Sequence, residues 1–309
     1  MGLVIGTSEV QAAAARIAGR IRRTPVQRAA RQVWFKLEFL QHAGSFKTRG
    51  MLNQILSAVE RGALPPAGII VASGGNAGLA AAYAARELGV PAEVYVPVNA
   101  PPVKVAKLAK LGARVTQVGD EYAEAYAAAT AQAQVTGALF GHAYDDAAMV
   151  AGNGTLGLEL LEQIPDGFDT VLVAVGGGGL IAGVTAALRD RARIVAVEPV
   201  TCASLYEARK AGEPVDVAVS GVAADSLGAR RVGRIAYDLT AAAGVSSVLV
   251  DDQAIVDARR QLWDDYRIVV EHGTAAAQAA LSSGAYRPAP GERVVVLLCG
   301  ANTDPSDLA

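Results

Sequence analysis

The segment Gly44-Ser45-Phe46-Lys47-Thr48-Arg49-Gly50 joins two hydrophobic patterns of different period. Before it, residues 33–40 alternate well enough to predict a strand, and after it the apolar residues between 51 and 59 recur at helical spacing. The change of period predicts a helix that begins near Ser45, which is a good N-cap residue. Lys47 then lies in the first helical turn, where the exposed backbone N–H groups disfavour a cation.

A lysine at a helix start has a second possible role if it is also removed from water. Partial desolvation lowers the pKa of the amine, and a neutral lysine amine is a nucleophile toward carbonyl groups. This segment by itself favours the simpler interpretation, an ordinary solvated lysine. A catalytic interpretation of Lys47 therefore depends on the rest of the chain.

The composition predicts a soluble protein with a large core. The chain has 309 residues, of which 52% are hydrophobic and only 19% charged, and its net charge is −2. Aromatic residues make up 5% and no basic stripe is present, so we expect no nucleic-acid partner. Cys202 and Cys299 form no metal-binding or disulfide pattern, which suits a reducing compartment. Glu9 interrupts the apolar start, so we expect no secretory signal. The longest uncharged run, 171–188, has four consecutive glycines in it and predicts a strand, a loop and a helix, so we expect no membrane span and a cytoplasmic location.

Repeated β-α units with short loops predict two lobes built on mostly parallel sheets. In the first set of units we predict strands at 68–72, 92–97 and 112–118 and helices at 77–88, 101–111 and 121–135. In the second set we predict strands at 171–175, 194–197, 247–250 and 293–298. We expect a large domain of residues 1–41 plus 144–309, a small inserted domain of residues 42–143, and a cleft between them.

Gly176-Gly177-Gly178-Gly179 is the strongest local signal. Four glycines between a buried strand and a helix let the backbone approach an anion, which the helix N-terminus then binds through its N–H groups. A dinucleotide site is the competing interpretation, because Gly177, Gly179 and Ala182 fit its fingerprint and Glu198 ends the next strand as a ribose ligand would. That fingerprint normally lies in the first β-α unit of its domain, and it would leave Lys47 without a role.

Two further segments are candidates for binding. Ser73-Gly74-Gly75-Asn76-Ala77-Gly78 offers a hydroxyl, an amide and free N–H groups at a helix start, and could hold a carboxylate; Asn76 could equally serve only as an N-cap. Cys299 follows the last buried strand, where ligands bind in open α/β sheets. A lone cysteine there is also often a simple core residue.

Together these segments resemble the fold-type II pyridoxal-phosphate enzymes, specifically the serine/threonine dehydratases, a tryptophan synthase β-like fold. The resemblance covers nearly the whole chain, with the motifs in the right order. It implies that Lys47 holds pyridoxal 5′-phosphate as a Schiff base and that Phe46, Asn76 and Cys299 contact the ring. It further implies a phosphate site at the backbone of Gly176, Gly177, Gly178, Gly179 and Leu180, and a substrate-carboxylate site at Ser73, Gly74, Gly75, Asn76 and Ala77.

The activity implied by the resemblance is dehydration and deamination of L-threonine or L-serine to a 2-oxo acid and ammonia. Lys47 would remove the α-proton, the β-hydroxyl would leave, and Ser73 would assist as a catalytic residue of the carboxylate loop. Racemases of the family carry a serine where this chain has Gly74, so racemisation should be minor. Members that bind a divalent cation use a glutamate at the position of Glu198, but Ser204 stands where an aspartate is expected, so a metal here is in doubt.

Four hypotheses remain open on the sequence. We favour a pyridoxal-phosphate-dependent dehydratase, expected from the family to be a homodimer with a small amino-acid substrate. A racemase or β-replacement enzyme would use the same cofactor. An NAD-dependent oxidoreductase would be built on the glycine loop and Glu198, and a non-catalytic small-molecule binder would use the fold alone.

Overall fold

The computed structural model describes residues 5–308. Its strands are β1 (Val26–Ala30), β2 (Val33–Lys36), β3 (Ile69–Ala72), β4 (Ala92–Val96), β5 (Arg114–Gln117), β6 (Leu139–Phe140), β7 (Thr170–Ala174), β8 (Arg193–Pro199), β9 (Ser246–Val250) and β10 (Val294–Leu297). Its helices are α1 (Thr7–Ile17), α2 (Lys47–Glu60), α3 (Asn76–Leu88), α4 (Pro102–Lys110), α5 (Tyr122–Thr136), α6 (Ala147–Gln163), α7 (Gly179–Leu188), α8 (Ser204–Ala211), α9 (Ala224–Leu227), α10 (Arg234–Ala242), α11 (Asp252–Tyr266) and α12 (His272–Ser282). The predicted α/β class is confirmed.

The larger sheet has six strands in the order β1-β2-β10-β7-β8-β9. Only the β1–β2 pair is antiparallel among these strands. Successive residues of β7 enter opposite cores, with Val171 and Val173 in one and Leu172 and Ala174 in the other. A strand covered on both faces is typical of parallel sheets, which explains why β7 reads as an unbroken apolar run.

The smaller sheet has four parallel strands in the order β5-β4-β3-β6. Its central strand β3 also alternates between two cores, with Ile69 and Val71 in one and Ile70 and Ala72 in the other. The helix that follows β3 ends as the sequence predicts, because Gly89 adopts the left-handed conformation of a C-cap at φ 65°.

Helix α2 connects the two sheets, since it packs against both α6 and α3. Two glycines allow a close approach to α6. A Cβ on Gly50 would lie 2.1 Å from the sulfur of Met149, and a Cβ on Gly152 would lie 2.6 Å from the carbonyl oxygen of Arg49. This contact holds the first turn of α2, which carries Lys47, close against α6.

The structure corrects two predicted boundaries. The strand expected over 33–40 stops at Lys36, and Glu38–Leu40 form a 3₁₀ turn that carries the buried Glu38 toward Arg49. Ser45 is not the N-cap of α2: Phe46 occupies that position, and the buried Ser45 hydroxyl has no hydrogen-bond partner within residues 5–308. Ser45 instead forms a β-bridge with Gly300.

Every helix among the described residues is too short or too polar to traverse a lipid bilayer.

Candidate active site

The glycine loop connects β7 to α7 at the carboxyl edge of the larger sheet. Gly178 is the N-cap of α7 with φ 88°, a conformation that favours glycine. A Cβ on Gly177 would lie 2.3 Å from the ring of Tyr144, and one on Gly178 would lie 2.4 Å from the Cβ of Ala236. A Cβ on Gly179 would lie 2.7 Å from the carbonyl oxygen of Tyr144, so packing against the protein requires three of the four glycines.

The loop nevertheless has the properties of an anion site. Within residues 5–308, the backbone N–H groups from Gly177 to Leu180 donate no hydrogen bond to the protein. These residues line a cavity and lie at the positive end of the ten-residue helix α7. Free N–H groups at a helix N-terminus are suited to a phosphate.

Lys47 is the first residue of α2 and lines the same cavity. Its Nζ donates a hydrogen bond to the carbonyl oxygen of Ala143 at 2.9 Å and lies 4.8 Å from the centre of the Phe46 ring. Burial lowers the pKa of this amine to about 8, and the nearby Cys299 and Glu271 oppose the shift only in part. A larger share of this amine is therefore uncharged near neutral pH than in an ordinary lysine.

Cys299 follows β10 and is brought to Lys47 by backbone pairing. The N–H of Phe46 donates to the carbonyl oxygen of Cys299 at 3.0 Å, next to the Ser45–Gly300 bridge. The thiol lies 3.3 Å from the Thr274 hydroxyl. Burial raises the pKa of Cys299 to about 12, so its side chain is a neutral thiol at physiological pH.

Asn76 begins α3 and enters the cavity from the side of the smaller sheet. Its Nδ2 donates to both carboxylate oxygens of Glu271, at 2.8 and 3.0 Å, and its Oδ1 accepts from Asn302 Nδ2 at 2.6 Å. The Asn76 side chain is thus bound on both sides, and it does not act as an N-cap, a position that Gly75 holds.

The rest of the predicted carboxylate loop adjoins this point but does not line the cavity. Ser73, Gly74 and Gly75 are half-buried, and the Ser73 hydroxyl accepts a hydrogen bond from the N–H of Gly75 at 3.3 Å. The Ala77 side chain is packed in the core, so only its backbone is available to a ligand. Among the described residues, the N–H groups of Asn76, Ala77 and Gly78 have no protein acceptor.

The structure thus places nine of the predicted site residues around one cavity that is partly open to solvent. They are Phe46, Lys47, Asn76, Gly176, Gly177, Gly178, Gly179, Leu180 and Cys299. Sequence reasoning missed Tyr144, Ser226, Glu271 and Thr274, which also line it, and Asn302, which binds Asn76. Asn302 could have been found, since it lies three residues after Cys299 in a segment already of interest.

Glu198 does not line the cavity and instead binds the N-terminus of α8. Its buried carboxylate accepts the N–H groups of Leu205 at 2.7 Å and Tyr206 at 2.9 Å, at the N-terminus of α8. Ser204 donates to the carbonyl oxygen of Gly176 at 2.8 Å. Residues 5–308 contain no group of three or more histidine, cysteine, aspartate or glutamate side chains that could hold a metal ion. The dinucleotide interpretation therefore lacks its acidic partner.

Comparisons with known proteins agree with this geometry. Residues 17–300 match the profile of a family described as pyridoxal-phosphate dependent enzyme. The chain is 36% identical over 305 residues to the L-threonine ammonia-lyase of Geobacter sulfurreducens, covering 96% of this chain and 75% of that protein. Among solved structures, a threonine deaminase from T.th. is 32% identical with a TM-score of 0.88, covering 97% of this chain and 99% of that one. Maize serine racemase is 30% identical with a TM-score of 0.90, covering 98% and 95%.

Proposed function

This chain belongs to the family of pyridoxal-phosphate-dependent enzymes, and we propose that within it the protein is an ammonia-lyase that converts L-threonine or L-serine to a 2-oxo acid and ammonia. One observation carries the proposal. An amine that burial has partly deprotonated, Lys47, lines the same cavity as a run of free N–H groups at the start of α7. An aldehyde that carries a phosphate needs both of these partners.

The residues present fit the cofactor, pyridoxal 5′-phosphate. Lys47 would bind its aldehyde carbon, the N–H groups of the glycine loop and Leu180 its phosphate, and the Cys299 thiol its ring nitrogen, with Phe46 beside the ring. When bound, this cofactor withdraws electrons from the α-carbon of an amino acid and so makes the α-proton removable.

The thiol at position 299 favours elimination over transamination. With its pKa raised to about 12, Cys299 cannot offer the negative charge that would keep a ring nitrogen protonated. A carboxylate at this position would strengthen the electron withdrawal by the ring. The thiol moderates it, which suits the loss of a β-substituent.

Lys47 and the start of α3 would perform the remaining tasks. The neutral amine of Lys47 would accept the α-proton of a bound substrate, since a base works best with a pKa near the ambient pH. The substrate carboxylate would bind the free N–H groups of Asn76, Ala77 and Gly78, with the Ser73 hydroxyl nearby. The carboxylate of the substrate is thereby fixed while its β-hydroxyl leaves.

Racemisation is less favoured because residue 74 is a glycine. With no side chain, Gly74 offers no acid to return a proton on the side opposite Lys47. A Cβ at this position would lie 3.3 Å from Val96 Cγ1, which leaves room for a small side chain only.

We also propose the setting in which the enzyme works. The two cysteines are free and buried, which supports a reducing, cytoplasmic location. The resemblance to the dehydratases supports a homodimer and a division into residues 1–41 plus 144–309 and residues 42–143. Sedimentation of the purified protein tests the dimer.

The decisive experiment is a substrate panel with a matched lysine control. Purified protein is loaded with pyridoxal 5′-phosphate, given L-threonine, L-serine and their D-enantiomers, and assayed for ammonia and 2-oxo acid. We expect both products from an L-hydroxy amino acid in equal amounts, and we expect Lys47→Ala to abolish them and the visible absorbance of the bound cofactor. Lys110→Ala, at an exposed lysine of α4, should leave both unchanged. Full activity in Lys47→Ala, or a product of inverted configuration without ammonia, would refute the proposal.

A further inference from the structure

The side chain of Glu271 does not cap the helix that it precedes, α12. It is the N-cap residue of α12, where a carboxylate ordinarily accepts an N–H group of the first helical turn. Its side chain makes no such bond. It turns instead toward the cavity and the start of α3, although it is buried, with an exposed fraction of 7%. A buried carboxylate that leaves its own helix uncapped must be stabilised by other groups.

Those groups lie at the start of α3, which follows a strand of the smaller sheet, and in the segment after β10, a strand of the larger sheet. Glu271 accepts from Nδ2 of Asn76 at 2.8 and 3.0 Å and from the backbone N–H of Asn302 at 3.2 Å. Asn302 Nδ2 in turn donates to Asn76 Oδ1 and, at 2.7 Å, to the carbonyl oxygen of Ala43. The Asn76 amide therefore has one orientation, with its nitrogen toward Glu271 and its oxygen toward Asn302.

Gly300 makes room for this arrangement. A Cβ at residue 300 would lie 2.7 Å from Glu271 Oε2 and 3.4 Å from Asn76 Nδ2. The backbone N–H of Glu271 also donates to the carbonyl oxygen of Gly300 at 3.1 Å. The absence of a side chain at residue 300 therefore leaves space for the Glu271 carboxylate. The backbone of Glu271 is also held at this point, so the carboxylate has a fixed place beside Asn76.

Among the described residues that line the cavity, Glu271 is the one carboxylate and Lys47 the one amine. The titratable groups that face Glu271 are Lys47, Asp225 and Cys299, and Lys47 is also faced by His142. Burial raises the pKa of Glu271 and lowers that of Lys47, while the attraction between the two charges opposes both shifts.

We propose that Glu271 is a positioning residue of this active site: it fixes the orientation of the Asn76 amide between the start of α3 and the segment after β10, and it places a carboxylate in the cavity that Lys47 also lines. The inference rests on the proposed function, because it takes Lys47 as the cofactor lysine. Asn76 can then present a defined edge to the cofactor ring, and the Glu271 carboxylate favours the charged form of Lys47, against the effect of burial on the pKa of that amine.

The test measures Lys47 directly in protein freed of its cofactor. Full-length protein is mixed with pyridoxal 5′-phosphate between about pH 6 and about pH 10, and the attachment at Lys47 is trapped with borohydride and quantified by peptide mass spectrometry. The rate rises as the amine loses its proton, and the ionisations of the free cofactor are the same in every sample, so a difference in midpoint between two proteins reports a change in the pKa of Lys47. Affinity for the cofactor is measured on the same samples by titration.

Glu271→Gln removes the charge, and Glu271→Asp keeps the charge but shortens the reach to Asn76. We expect Glu271→Gln to move the midpoint to lower pH by about half a unit to one unit, since a neighbouring negative charge is lost. Glu271→Asp should leave the midpoint in place. Both variants should weaken cofactor binding by about fivefold to tenfold, because Asn76 loses its fixed orientation. Glu207→Gln, which removes a carboxylate of α8 outside the cavity, should change neither quantity.

Two results would overturn the inference: a Glu271→Gln profile that coincides with that of the unsubstituted protein, or cofactor affinity that is unchanged in both variants. If Glu271→Gln does not fold, unchanged affinity in Glu271→Asp alone overturns the positioning role. A failure of the proposed function looks different, since the unsubstituted protein would then attach no cofactor at Lys47 at any pH.

Discussion

Replacement of Glu38 by glutamine is expected to destabilise the protein by about 3–5 kcal/mol, because it breaks a buried network with balanced charge. Arg49 binds Glu38 through Nε at 2.6 Å and Nη2 at 3.0 Å, and binds Glu159 through Nη1 at 2.7 Å. Lys36 binds Glu159 at 2.6 Å, and Lys36, Glu38 and Arg49 are fully buried. The network thus pairs two cations with two carboxylates.

The magnitude follows from what glutamine cannot replace. Glu38 accepts three hydrogen bonds, two from Arg49 and one from Thr24 Oγ1 at 2.6 Å. A glutamine offers one acceptor oxygen in place of two and turns an NH₂ group toward another hydrogen-bond donor. It also removes one negative charge, so that one positive charge of the buried network has no partner. Removal of one member of a buried pair is far more damaging than removal of the pair, since the remaining charge keeps its desolvation penalty.

The assay is urea unfolding followed by circular dichroism at neutral pH, with Asp238→Asn as the matched control. Asp238 pairs with Arg234 at 2.9 Å on the surface of α10, so its loss should change the free energy of unfolding by no more than about 0.5 kcal/mol.

The double variant Glu38→Leu, Arg49→Met leaves the Lys36–Glu159 pair balanced and should destabilise the protein by less than the sum of its two single changes. Activity should fall with Glu38→Gln as well, because Arg49 lies in the same helical turn as Lys47. A free energy of unfolding for Glu38→Gln within about 1 kcal/mol of the unsubstituted protein would refute this reasoning.

Three further predictions concern the site and its supports. Gly178→Ala should destabilise the protein by about 1–3 kcal/mol more than Gly212→Ala, as measured by urea unfolding. Both glycines have a φ above 80°, but only at Gly178 would an added Cβ meet another atom, Ala236 Cβ at 2.4 Å. Equal effects of the two substitutions would contradict the packing argument. Native protein near pH 8 should react very slowly with a thiol reagent, since burial raises the pKa of Cys202 to about 11 and that of Cys299 to about 12. After denaturation, both thiols should react. Fast labelling of the native protein would contradict this prediction. Burial raises the pKa of Glu198 from 4.5 to about 7, so its contribution to stability is complete below pH 4.5 and is lost as the pH rises through 7. The free energy of unfolding relative to Glu198→Gln should therefore fall by up to about 3 kcal/mol between pH 5 and pH 8, and a constant difference would oppose this assignment.

The sequence was sufficient for the fold class and for most of the elements. Strands such as β3 and β7 are short apolar runs bounded by glycine, and the helices between them carry periodic patterns and clear ends such as Gly89. Boundaries were harder where a tertiary contact determines them. The strand over 33–40 ends early because Glu38 must turn to meet Arg49, which is eleven residues away and carries no local signal of that contact.

The motifs with their own chemistry could also be found in advance. Lys47, the glycine loop and Cys299 each follow a strand or begin a helix, and the carboxyl ends of parallel strands meet at one edge of a sheet. Glu271 and Thr274 could not be found in this way, since a single glutamate and a single threonine at a helix start belong to no motif with a spacing of its own. Only the packing of α12 against the end of β10 turns it into a neighbour of Asn76.

Sequence alone therefore determined the α/β class, the order of the motifs and the identity of most groups that line the cavity, because periodicity and glycine placement are local properties of the chain. The tertiary structure decided what those groups experience. The lowered pKa of Lys47, the neutral thiol of Cys299, the fixed amide of Asn76 and the use of Glu198 as a cap for α8 all arise from burial and from partners distant in the chain. Desolvation and charge pairing depend on distances in space, which residue spacing does not encode.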